Sequence, residues 1–473
     1  MATFTLCYSG TDCFLDQALV FREPREMYSY NPYSGYVPSK IHKLISDKNP
    51  GEHLSVTMNG CGGPYGTNRD LLPIRAWTIE SEPETGDSWA ECRRAPAFIN
   101  DSVTGASLEY ITVAGLAEML GVTFHMVEVG NLNKLLDEEW LPQNTDNFTR
   151  ANLAYPQTDN GMWNNNDSST AGHFCLRWSE EDNIKIELFL QNFDRVVLLG
   201  HSRGGVSCII AANYLSEWFP SLEIKICALD PVPGTGDWWP ALTHLPCAKS
   251  LEYVGIYAID ETSSGFNGVV PRVKSSTEDE VIIWDPLSPK TDLIPSDVWN
   301  IKNYELLYTR GRHATVPGSR SAQGNGESDP IDNNVGSSGN LTDAYVISKL
   351  NEWGVALTKP DKDDVALWIG MMNSYSAHFA SMRDSNYGPK KILGKMNGWW
   401  YYNARGISST DGRTPSAWMY MEAFIELATG DQAAIIDTER GLIDMGVRNR
   451  YYAKYGGTGK VHPWVYLADA CKP

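Results

Sequence analysis

The chain has 473 residues, too many for one ordinary core and suited to a large α/β domain with insertions or an appendage. Hydrophobic residues make up 42%, which excludes wholesale disorder. Asp and Glu (58) outnumber Lys and Arg (39), so the formal charge is −19; this argues against a nucleic-acid partner, whose phosphates need clustered cations, and leaves membrane contact to local apolar side chains.

The sequence opens without a basic segment and long apolar run, so no signal peptide is expected. No stretch reaches the length of a membrane-spanning helix. The nine cysteines are scattered, with no CxxC pair and no zinc-ligand spacing. They read as reduced thiols in a protein made in the cytoplasm.

Thr3 to Tyr8 reads as a strand, followed by the small-residue turn Ser9-Gly10-Thr11-Asp12. Residues 22–38, rich in Tyr and Pro, read as irregular. A short helix is expected over Ser39–Lys48 with Ser39 as its cap. Leu54 to Met58 reads as a second strand, ending in the glycine-rich run 59–66, where backbone must approach something closely. No Gly-Lys-Ser/Thr follows, so that run is not a phosphate loop.

Residues 80–105 read as an excursion, and Leu108–Leu120 has helical spacing. Residues 142–172, dense in Asn, Asp, Gly and Ser, read as a long solvated loop or lid; their oxygens could hold calcium, but they lack the EF-hand pattern. A short helix over Ile184–Phe193 leads into the apolar run Val196 to Leu199. That run ends in Gly200-His201-Ser202-Arg203-Gly204, and a helix-compatible stretch, Val206–Trp218, follows. Strand, tight Gly-x-Ser-x-Gly turn and helix are the parts of a nucleophile elbow. Such a turn exposes the serine hydroxyl above a sheet, and larger side chains at Gly200 and Gly204 would collide with neighbouring backbone.

Buried-type strands then recur at Ile224–Leu229, Tyr253–Ile259 and Tyr304–Tyr308, ending respectively at Asp230-Pro231, Asp260-Glu261 and Arg310-Gly311-Arg312-His313. Helical segments and loops separate them, so a mainly parallel sheet with crossover helices is expected, with its polar residues at the carboxyl ends of the strands. Residues 317–340 read as a mobile Gly/Ser/Asn-rich loop. From Leu341 the pattern becomes helical, through Asp364–Ala380 and Trp418–Ala428, while 441–455 and the tail resist assignment. The organisation expected is an α/β-hydrolase-like catalytic domain over 1–330 and a mainly helical C-terminal portion over 341–473 packed on it. No internal repeat is visible.

A nucleophilic serine needs a base, and the base an orienting acid. In hydrolases of this kind the order is Ser, Asp/Glu, His. His313 follows the last clear strand and is the expected base; His462, in the tail, is its rival. His42, His53, His125 and His173 precede the serine; His201 is expected to point away, His244 comes early, and His378 lies in a helical run. Asp260, two strands after the elbow strand, is the expected acid. Asp230, one strand after, is its rival, and Asp285 is a loop candidate. The oxyanion donors would be the Arg203 amide and one from Gly10, Thr11 or Asp12. The chemistry needs no metal or organic cofactor.

Taken in order, Ser9-Gly10-Thr11-Asp12, Gly60-Cys61-Gly62-Gly63, Gly200 to Gly205, Asp230-Pro231-Val232, Ala258-Ile259-Asp260-Glu261 and Gly311-Arg312-His313 resemble the α/β-hydrolase family of type VI secretion lipase effectors and their uncharacterised relatives. Leu341–Leu357, containing Trp353-Gly354, and Val461-His462-Pro463 resemble later parts of that family. The resemblance implies a phospholipase A-type esterase acting on glycerophospholipids. It also implies delivery into a neighbouring cell by a dedicated apparatus, with secretion-apparatus and immunity-protein partners. Within enzymes, the other reading is an esterase or thioesterase on a soluble substrate. Outside them, it is a hydrolase-like binding protein with an inert Ser202.

Overall fold

The computed structural model describes residues 2–11, 37–58, 60, 77–79, 108–122, 124–129, 173–178, 180–232, 244–246, 251–258, 260–261, 266, 271–273, 304–324, 330–382 and 464–472. The segments expected at 80–105, 142–172, 418–428 and 441–455 lie outside the described residues, as do Asp12, Asp285 and His462.

Seven strands form one all-parallel sheet: β1 (Ala2–Tyr8), β2 (Ser55–Met58), β6 (Phe193–His201), β7 (Glu223–Leu229), β9 (Glu252–Ala258), β11 (Tyr304–Thr309) and β12 (Trp464–Tyr466). Across the sheet they run β2-β1-β6-β7-β9-β11-β12. Outside it, β3 (Trp77–Ile79), β4 (Phe124–Val129) and β5 (His173–Arg177) make a separate three-stranded sheet, and β8 (His244–Leu245) pairs with β10 (Arg272–Val273). Of these five, β3, β8 and β10 have only two or three residues each, too few to show a period in the sequence.

The seven-stranded sheet is covered on both faces, which is why its strands read as continuous apolar runs. Val196 to Leu199 of β6 are wholly buried, as are Ile224 and Ile226 to Leu229 of β7. Each Val, Leu and Ile among them contributes roughly 1.5–3 kcal/mol from burial. On β1, residues of opposite parity reach opposite layers. The hydroxyl of Tyr8 donates to the Thr112 carbonyl in α2 (Leu108–Leu120), at 2.7 Å. The Thr3 hydroxyl donates at 2.9 Å to the Trp353 carbonyl, at the end of α5 (Asn333–Glu352). One layer holds α2 with α4 (Arg203–Trp218); the other holds α5 with α1 (Val37–Lys48). Before β6 comes α3 (Glu180–Asn192), which takes in none of Phe193, the first residue of that strand.

The helix expected from Ser39 begins two residues earlier, at Val37. Ser39 lies inside its first turn, and its hydroxyl meets that of Ser9 at 3.1 Å instead of capping. The loop expected over 317–340 is corrected more strongly, because α5 starts at Asn333. Asp332 caps it, accepting from the Asn334 amide at 2.8 Å. Small residues serve close approach here. A Cβ at Gly339 would stand 2.6 Å from the Gly318 Cα, and the Ser338 hydroxyl donates to the Arg310 carbonyl at 2.6 Å. Helix propensity alone would make Gly339→Ala stabilising by about 1 kcal/mol. The overlap is expected to reverse the sign, lowering stability by roughly 1–3 kcal/mol as read from urea unfolding.

The helical stretch expected over Asp364–Ala380 is two helices, α6 (Lys362–Ser374) and α7 (Ser376–Met382). The tail supplies β12 and the short α8 (Leu467–Ala470). Three strand residues are too few to show a period. Register pins them to β11, with Leu306 opposite Trp464 and the rings of Tyr308 and Tyr466 stacked at 5.3 Å. Among the described residues, no helix is long and apolar enough to cross a membrane.

From β1 the chain moves outward to β2, then returns to the other flank of β1 for β6 and goes on to β7 and β9. The carboxyl ends of β1 and β6 therefore flank the point where the strand order reverses, where open α/β sheets form a crevice.

Candidate active site

Ser202 stands at that crevice, between the last residue of β6 and the first of α4. Its φ is 58° and its ψ −126°. Among the described residues, only Ser202 and Asp230 combine a side chain with positive φ. Such conformations cost about 1–3 kcal/mol each and persist where surroundings over-determine them. Here the bracing is mutual. The Ser202 amide donates to the Leu229 carbonyl at 3.0 Å, and the Ser202 carbonyl accepts from Val232 at 3.1 Å. The turn after β6 is thus laced to the turn after β7. Its glycines are a steric necessity: a Cβ at Gly200 would overlap the Gly204 carbonyl oxygen, and one at Gly204 would overlap that of Tyr8.

The expected oxyanion residues gather at the same end. Arg203 opens α4, so its amide lies in the first helical turn, where the helix dipole favours negative charge. Its guanidinium Nη1 donates to the Thr11 hydroxyl at 2.9 Å, tying the turn after β6 to the one after β1. Gly10 is enclosed between His201 on one side and Gly60 on the other, since a Cβ at Gly60 would overlap the Gly10 carbonyl. This is the close backbone approach that the glycine-rich run after β2 implied.

His313 lies in the turn after β11, and its Nδ1 is 2.6 Å from Oδ2 of Asp230. Asp230 is wholly buried. Its Oδ1 accepts from the Ala258 amide at 3.2 Å, and its own amide donates to the Ile256 carbonyl at 2.7 Å. Burial raises the Asp230 pKa; the hydrogen bond and charge of His313 act against that rise. The carboxylate accepts from Nδ1–H and fixes the tautomer in which Nε2 can take a proton. The His313 amide donates to Oε2 of buried Glu261 at 3.2 Å, and the Phe266 ring lies 4.8 Å from its imidazole.

Asp260, expected as the acid, is engaged elsewhere. Its two oxygens take Nε and Nη2 of Arg310 at 2.8 and 3.1 Å, and Oδ2 also accepts from the Gly311 amide at 2.8 Å. Arg310 is itself held by Ser376, through Nη1 to the hydroxyl at 2.8 Å and Nη2 to the carbonyl at 3.2 Å. The carboxylate that meets His313 is that of Asp230, and Asp260 braces the turn that presents His313. Ser202, Asp230 and His313 keep the serine–acid–histidine order.

His201, expected to point away, does not. Its ring lies 4.6 Å from that of His313, and its Nε2 is 3.2 Å from the His313 carbonyl oxygen. Its neighbour in the Gly-x-Ser-x-Gly turn is the only local signal that could have placed it. The arrangement as a whole can relay a proton from a hydroxyl near Nε2 and orient the imidazole that does so. Among the described residues, no group of three or more His, Cys, Asp or Glu is placed to hold a metal ion.

No family model matches the chain. No curated protein matches it either. Among solved structures it is similar to an uncharacterized protein from Pseudomonas aeruginosa, at 12% identity and a TM-score of 0.43. That likeness covers 100% of this chain and 61% of the other, so the chain spans about three fifths of that protein's length.

Proposed function

We propose that the chain is a serine hydrolase of the α/β-hydrolase class that cleaves carboxylic esters through an acyl-enzyme. Ser202 is the nucleophile, His313 the general base and Asp230 the orienting acid. The observation that carries the reading is the 2.6 Å contact between His313 Nδ1 and the buried Asp230 carboxylate, in a turn laced to a serine at positive φ. In the first half-reaction His313 Nε2 takes the Ser202 proton as Oγ attacks the ester carbonyl. The Arg203 amide and one from Gly10 or Thr11 receive the oxyanion. His313 then returns the proton to the departing alcohol. In the second half-reaction it takes a proton from water, which attacks the acyl-enzyme carbonyl, and gives that proton back to Ser202 Oγ as the acyl–Oγ bond breaks and the acid leaves.

For the ester itself, the resemblance of the strand-end motifs supports a glycerophospholipid acyl ester and a phospholipase A-type reaction. A fluorophosphonate probe tests the nucleophile. Wild type is expected to label and Ser202→Ala not to; an unlabelled wild type, or equal labelling of both, ends the hydrolase reading. Purified protein with phospholipid vesicles tests the ester. Cleavage of a short-chain nitrophenyl ester without fatty acid release from vesicles would remove the phospholipase and leave the hydrolase.

A further inference from the structure

His201 lies between parts of the site that come from distant strands. It ends β6 and is 3% exposed. One edge of its ring faces His313, with Nε2 3.2 Å from the carbonyl oxygen and the two imidazoles inclined at 34°. The other edge faces Gly10, where a Cβ would overlap Nδ1 and stand 2.9 Å from Cε1. A carbonyl oxygen can only accept, so Nε2 carries the proton and Nδ1 is the acceptor. Burial first, and then the charge of His313, push the His201 pKa well below the ordinary imidazole range, so the ring stays neutral in the tautomer the carbonyl requires. A flat, rigid side chain thus spans from the turn after β1 to the turn after β11, which the sheet order separates by three strands.

We propose that His201 is a positioning residue for this reaction: its Nε2–H holds the His313 backbone, and its ring seats the His313 imidazole and the Gly10 turn in register with Ser202. The proposal rests on Ser202 being the nucleophile. Displacing an oriented group by about 1 Å can cost about 100-fold in rate, while binding of the ester elsewhere is untouched. The signature is therefore a loss in kcat and not in KM.

The test compares His201→Phe, His201→Met and His201→Gln on a short-chain nitrophenyl ester. Phe keeps a ring and removes the donor. Met fills similar volume without one. Gln returns an amide N–H to the place of Nε2. Both donor-less variants are expected to lose roughly 10–100-fold in kcat with KM within about twofold, and Gln to recover most of the loss. Thermal melting separates this from unfolding, and if Phe does not fold, Met against Gln carries the comparison. A kcat within about threefold of wild type in Phe and Met, or a Gln variant as impaired as they are, overturns the proposal. Fluorophosphonate labelling of wild type distinguishes the two levels. A labelled wild type with insensitive His201 variants removes the positioning role alone, whereas an unlabelled wild type removes the hydrolase reading beneath it.

Discussion

Asp230→Asn is expected to lower kcat on an ester substrate by about 10⁴-fold with little change in KM. Asparagine matches the shape of aspartate and is among the side chains most tolerant of the positive φ that Asp230 adopts, at 41°. The fold should therefore survive, and a circular dichroism melt should show it. What changes is the proton. A carboxylate can only accept from His313 Nδ1, whereas an amide can present its NH₂ there and stabilise the tautomer with the proton on Nε2. That tautomer cannot take the Ser202 proton. Steady-state kinetics decide the matter, with Asp260→Asn as the counterpart: if Asp230→Asn keeps near-wild-type kcat while Asp260→Asn loses it, the acid has been assigned to the wrong strand end.

The second large effect is on stability. Asp260→Ala is expected to cost roughly 3–5 kcal/mol, because it leaves the Arg310 guanidinium buried without its carboxylate and the Gly311 amide without its acceptor. Both members of the pair are almost wholly buried, at 1% and 0% side-chain exposure, so water cannot substitute for the lost partner. Urea unfolding measures the loss. A double-mutant cycle with Arg310→Met sharpens it. Arg310→Met in the Asp260→Ala background should restore much of what the single change removed, since the uncompensated charge goes with it. Additive losses would mean that the ion pair does not organise the turn.

These two aspartates show where the sequence stops being informative. Each ends an apolar run of the kind that forms a buried parallel strand, and each precedes His313. The spacing of strands and the Gly-x-Ser-x-Gly turn were legible because both follow from local rules: period, β-branching and steric demand at two glycines. Which carboxylate meets the imidazole is a different kind of fact. It depends on Arg310, 50 positions beyond Asp260, folding back to occupy both of its oxygens. No local signal distinguishes an aspartate with a buried arginine partner from one without. The 317–340 stretch fails for a related reason. Glycine and serine usually mark loops because they have little or no apolar side chain to pack, yet at Gly339 the missing side chain lets a helix lie against backbone, and at Ser338 a short hydroxyl bonds that backbone directly. The contacts of His201 with His313 are not legible either, because a strand's alternation gives the face a residue takes but says nothing of how the following turns close over the strand end.

The edge pairing of β11 with β12 bears on how the molecule comes into being. Residues 304–309 leave the ribosome long before 464–466, and at 5–20 residues per second the interval is roughly 10–30 s. Throughout it, Ser202, Asp230 and His313 have all been synthesised, while the backbone amides and carbonyls of β11 lack the neighbour that later covers them. An unpaired strand flank is a template for any passing extended segment, including the same flank of a second nascent copy. On a crowded polysome the tail is thus a late guard against intermolecular pairing. Its three strand residues would matter more to soluble yield than to the melting point of the finished protein.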